Sequence, residues 1–159
     1  MPHIEVSLSS ADISAALAQL DRYTKRLPKK TQTVAYKLCE RGAEDAKQNA
    51  PKDTGELSNS IEATTTGDGA QVVAGSGHAA FNEFGTGVVG SKNPYPKFPD
   101  GVSWQYDVNA HGEAGWIYIG KDGHTHWTRG LPSRPFMLTA ANLMKQSVIE
   151  VSKEVFTRD

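Results

Sequence analysis

The chain has one cysteine among its 159 residues, Cys39, so no disulfide can close within it, which fits a reducing compartment. No apolar run approaches the ~18 residues that a membrane span needs. The start, Met1-Pro2-His3-Ile4-Glu5, lacks the basic residues and apolar stretch of a signal peptide. These absences lead us to expect a protein made and assembled in a cytoplasm, with no membrane partner. An excess of either charge is also missing: 17 Lys and Arg stand against 18 Asp and Glu, a net charge of -1. Gripping nucleic acid by its phosphates requires clustered cations. The largest basic group, Lys25-Arg26 with Lys29-Lys30, reads as a solvated surface at a helix break. No sequence-specific nucleic-acid binding is expected. What remains, 38% hydrophobic and 22% charged residues, is the composition of one folded domain spanning 1–159.

Ile4, Val6 and Leu8 alternate with polar residues, the pattern of a short strand or extended arm over 1–8. Ser9-Ser10-Ala11-Asp12 reads as a helix start. Ile13, Ala16, Leu17, Leu20 and Leu27 then share one helical face, predicted to point at a core, and Pro28 is expected to end this helix. A second helix is predicted from about Thr31. Its face of Val34, Ala35, Leu38, Cys39, Ala43, Ala46 and Ala50 is rich in small residues and suited to close approach, and Pro51 stops it. Segments 60–66 and 70–76 are predicted to form a hairpin around Gly67-Asp68-Gly69. Ala79 to Phe84 is too short for periodicity to separate a brief helix from a strand end. The stretch 88–130 is read as a long insert loop holding all three tryptophans, with Trp116 to Gly120 as a strand and Thr125 to Thr128 as its partner. Arg134-Pro135-Phe136 opens a final helix, with a stripe of Met137, Ala140, Ala141, Met144, Val148, Val151 and Val155. The fold class expected is α+β: a small antiparallel sheet against two to three helices, with the aromatic insert before the last one.

Asp53-Thr54-Gly55 is the triplet of aspartic proteases, whose chemistry needs two carboxylates sharing a proton. Here the triplet follows a helix and Ala-Pro-Lys, and no second strand closing on a glycine supplies the floor of such a site. A structural elbow fits better: Pro51 ends one helix, Asp53 or Thr54 caps the next turn, Gly55 relieves the backbone, and Leu57 and Ile61 enter the core. His78, His111, His124 and His126 lack the partners of a zinc site and are read as surface residues. Cys39 is a small core residue with no base spaced to activate it. Gly85-Thr86-Gly87 with Gly90 has no lysine in the phosphate-loop position. Neither metal nor cofactor is expected. Glu83, between Phe81 and Phe84, either finds backbone N–H groups or an arginine, with Arg134 the candidate, or is solvated at the edge of its element.

Three segments in this order carry a resemblance: Ala50-Pro51-Lys52-Asp53-Thr54-Gly55-Glu56-Leu57 with Ile61, then Glu83-Phe84-Gly85-Thr86, then Arg134-Pro135-Phe136. From about Thr31 onward the chain resembles the minor tail, or tail-completion (neck), family of long-tailed bacteriophages. It departs from the simpler members in its long tryptophan-containing insert. The resemblance implies a virion structural protein and no enzyme. It implies assembly in the host cytoplasm as a ring, of six copies by tail symmetry, that completes the tail or joins it to the head. Its partners would be further copies of itself, the tail tube or tail terminator, and head connector proteins. A tail terminator or a head–tail connector is the alternative within that class. A small hydrolase using Asp53 or Glu83 is the alternative outside it. Tyr95, Phe98, Trp104, Tyr106, Trp116 and Trp127 are expected as interface anchors, unless the insert folds back as a second small sheet with the tryptophans in its core. The arm over 2–8 is expected to add a strand to a neighbour.

Overall fold

A computed structural model describes residues 9–157. The expected arm at 1–8 lies outside them. The element order is α1 (Ser10–Asn49), α2 (Glu56–Asn59), β1 (Ile61–Thr65), β2 (Ala70–Ala74), α3 (Ala79–Phe84), α4 (Gly87–Lys92), β3 (Trp116–Ile119), β4 (Thr125–Thr128) and α5 (Phe136–Thr157). Each strand pair is an antiparallel two-stranded sheet. The class is α+β, as expected, and the strands form two separate small hairpins, each pairing the segments predicted to pair.

The predicted start of α1 is a capping box. The Ser9 hydroxyl accepts the Asp12 N–H at 3.2 Å, and the Asp12 carboxylate accepts the Ser9 N–H at 3.0 Å. The Ser9 hydroxyl, donating to the Asp12 carboxylate at 2.6 Å, and then the Ser9 N–H hold the Asp12 carboxyl below the usual carboxylate range. The expected break at Pro28 is not there: α1 runs through it as one helix of 40 residues. Proline removes one N–H and frees the carbonyl four residues back, that of Thr24. Both residues are exposed, so water can satisfy that carbonyl. The next turn is knitted by the Thr31 hydroxyl, which donates to the Leu27 and Pro28 carbonyls.

Only the second half of α1 reaches the core. Ala43, Ala46 and Ala50 pack with Leu57 of α2, Ile61 of β1, and Phe136 and Ala140 of α5. The small side chains let α5 and the β1–β2 hairpin lie close to α1; a Cβ on Gly42 would collide with Met144. Cys39 is buried beside them, and that burial pushes its thiol pKa up. Helix α5 runs antiparallel to α1, with Phe136 near Ala46 and Ala50, and Lys37 to Glu154 (2.7 Å) and Arg41 to Glu150 (2.9 Å) at the other end. The β1–β2 register pairs Ile61 with Ala74 and Thr65 with Ala70, and Thr66 N–H closes the predicted turn on the Gly69 carbonyl.

The first half of α1 departs from expectation. Ile13, Leu17 and Leu20 form the predicted stripe but remain 50–60% exposed, because α5 ends near Lys30 and nothing described covers the helix beyond it. On α5, Val148 of the predicted stripe is also 42% exposed. Replacing the fully buried Ile61 by alanine is expected to lower stability by about 2–5 kcal/mol, read from a urea-unfolding midpoint.

Candidate functional site

The elbow after α1 is local chemistry. Ala50 caps α1 through its N–H to the Ala46 carbonyl, and Pro51 prevents continuation. Gly55 takes the left-handed conformation, φ 79°, at the entry of α2. The Thr54 hydroxyl accepts the Glu56 N–H, so of the two candidate caps it is Thr54 that serves. Leu57 drops into the core. Asp53 turns outward, 84% exposed, and pairs with Lys121 at the tip of the β3–β4 hairpin. An exposed carboxylate held by a lysine is the opposite of two acids sharing a proton in a closed cleft.

Glu83 is the centre of the molecule's polar architecture. The segment 79–84 is a helix, α3, and it buries Glu83 to 5% exposure. One carboxylate oxygen accepts the Met137 N–H at 2.9 Å and the other the Leu138 N–H at 3.0 Å. Glu83 therefore caps α5 from another element, meeting the positive end of a 22-residue helix with a full negative charge. Its backbone carbonyl accepts the Ser133 hydroxyl at 2.7 Å, and Arg134 N–H donates to the Asn82 carbonyl at 2.8 Å. Burial, with the adjoining Glu83 charge and hydrogen bond, pushes the Tyr95 phenol far above the tyrosine range. The arginine partner considered for Glu83 is thus corrected: two backbone N–H groups satisfy the carboxylate. Arg134 keeps its side chain at the surface, lining an open cleft of about 270 Å³ with Asn49, Pro51, Pro135, Phe136 and Thr139.

Gly85 lets three stretches meet. At φ 84°, a Cβ there would stand 2.7 Å from Ser133 N and 2.9 Å from the Leu131 carbonyl oxygen. Its own carbonyl accepts the Trp104 indole N–H at 2.8 Å. Thr86 exchanges backbone hydrogen bonds with Leu131, and Gly87 N–H donates to the Tyr106 carbonyl. The N–H groups that a phosphate loop would offer to an anion are therefore taken.

The insert is woven onto this hub. The Phe84 ring contacts Tyr95, Phe98 and Trp104 at centroid distances of 4.9–5.5 Å. The Tyr106 hydroxyl accepts the Tyr95 N–H, and Trp116 stacks near His111. Tyr95 is buried, while Phe98, Trp104, Tyr106 and Trp116 are half-buried, all within their own chain. Trp127 alone of the six expected anchors is exposed, with Arg129 over its ring. Its neighbours on one face of the hairpin, Ile117 and Ile119, are 68% and 74% exposed. Sequence reasoning passed over both isoleucines; their alternation with Trp116 and Tyr118 was the available signal. His126 pairs with Asp122, and no group of three metal-ligating side chains exists among the described residues. No helix among them is long and apolar enough to cross a membrane.

The segment built from α1 through Gly85 also carries a family likeness. Residues 14–85 match the HK97-gp10-like family model. Its description is "Bacteriophage HK97-gp10, putative tail-component". No curated protein and no solved structure matches. The HK97-gp10-like region holds nearly all of α1, the Pro51–Leu57 elbow, the β1–β2 hairpin and α3 with Glu83, Phe84 and Gly85. It begins earlier than the resemblance drawn from the motifs and stops before Thr86, so the insert and Arg134-Pro135-Phe136 fall outside it. Over these residues the chain is similar to a phage tail component.

Three substitutions rank the motif residues. Glu83→Ala is expected to cost at least about 2 kcal/mol, since it leaves two buried donors unmet. Asp53→Asn should cost about 1 kcal/mol or less, as an exposed ion pair does. Arg134→Ala should stay within about 0.5 kcal/mol, as surface substitutions do. Urea unfolding of the three variants side by side checks the order.

Proposed function

We propose that this chain is a structural part of the virion of a tailed bacteriophage or prophage, at the tail or neck. Copies of it form a ring that completes the tail or joins it to the head, six being the number the resemblance implies. It works by binding: its partners are its own copies, the tail tube or terminator, and the head connector. The observation that carries this reading is the family match over 14–85, which includes Glu83, Phe84 and Gly85. Surface area supports it. The chain exposes 11216 Å², whereas a compact monomer of its 17.2 kDa would expose about 7,800 Å². The excess of about 3,400 Å² is room for several interfaces, each of which takes about 800 Å² from one partner.

The test is electron microscopy of a lysate from a phage whose copy of this gene is inactivated. Filled heads beside separate tails are expected, and tail length then tells completion from termination. Intact, infectious particles would overturn the proposal.

A further inference from the structure

We infer that copies of this chain join head to tail by seating the first half of α1 on the exposed face of the neighbour's β3–β4 hairpin. The inference deepens the ring reading and rests on it. The α1 face is Ile13, Leu17 and Leu20, 50–60% exposed on one side of a helix that no other described element covers. The hairpin face is Ile117, Ile119 and Trp127, 59–74% exposed and brought to one side by the Ile117–Trp127 pairing. A two-stranded hairpin is marginal by itself in water and needs a further layer. The β1–β2 hairpin has that layer in the second half of α1, where Ala43 and Ala46 meet Ile61. The β3–β4 hairpin has Trp116 against His111 and Gly87 on one face, and its Ile117, Ile119 and Trp127 face has no such layer among the described residues.

The two faces cannot meet within one chain. The hairpin is held near the C-terminal end of α1: Lys121 at its tip pairs with Asp53, and its base joins Thr86 beside the start of α5. Leu20 lies 29 residues before Asn49, the last residue of α1, about 44 Å along a helix rising 1.5 Å per residue. A second copy is therefore the occupant. Because the two patches differ, the contact is heterologous, the kind that closes a ring or runs on as a chain. None of the six side chains is charged, and Arg129, which lies over the Trp127 ring, is already paired with Glu113 at 3.2 Å. The excess surface of the chain exceeds what two such contacts per copy require.

The experiment mixes two variants and reads mass by light scattering. One carries Leu17→Glu and Leu20→Glu, the other Ile117→Glu and Ile119→Glu. All four side chains are more than half exposed, so each variant should still unfold in one cooperative urea transition, at a midpoint below that of the wild type by no more than the association contributes. The wild-type chain is expected as an oligomer, and each variant as a single chain of 17.2 kDa. An equal mixture should give a pair of about 34 kDa and nothing larger, because one intact helix face meets one intact hairpin face and both outer ends are blocked. If the hairpin variant keeps the wild-type mass, α1 pairs with something else and the inference falls. If the helix variant keeps it, or the mixture stays as single chains, the inference also falls while the ring stands. A wild-type chain that is single at every concentration would overturn both.

Discussion

One buried carboxylate ties this protein together. Glu83 sits at the end of a six-residue helix that could not hold its shape alone, and closes both oxygens on the first N–H groups of α5. That joint fixes where α5 begins, and so which of its faces meets the small-residue side of α1. The same turn carries Gly85, against which the strand-like stretch 129–134 and the Trp104 indole are laid. With the charge removed, α5 would lose its cap, and the insert would lose the floor on which its aromatic rings pack. A carboxylate this deeply buried persists because donors surround it; burial without them would cost several kcal/mol.

The chain is divided by what covers α1. One continuous helix serves two purposes: its second half, with Gly42, Ala43 and Ala46 buried, is the spine of the core, and its first half, with Ile13, Leu17 and Leu20 exposed, extends beyond it. The two halves follow the same helical periodicity, so periodicity alone does not tell them apart. What separates them is the length of α5, which lies along the second half of α1 and ends near Lys30.

This explains what was legible beforehand. The capping box, the elbow, the β1–β2 turn and the start of α5 are short-range features, each dictated by a few neighbouring residues, and all are seen in the fold. The continuity of α1 through Pro28 was not legible, because a local rule about proline does not know that the freed carbonyl faces water. Of the partners open to Glu83, backbone N–H groups or an arginine, the sequence could not say which N–H groups, for another reason. Backbone N–H groups leave no mark in a sequence, whereas Arg134, a side chain of opposite charge in a neighbouring motif, does. The insert held the third difficulty. Its aromatics signal burial against something, and only the fold separates Tyr95, Phe98 and Trp104, satisfied within the chain, from Trp127.

Pro28 acquires a mechanical meaning in this setting. It stands where the supported half of α1 gives way to the unsupported half, and it has one fewer hydrogen bond to resist bending. The outer half is a lever about 27 Å long. A change of about 10° at the proline swings its tip by about 5 Å, at little cost to the core. The body of the protein can therefore be rigid while its outer end is compliant, with any displacement of that end taken up at one joint.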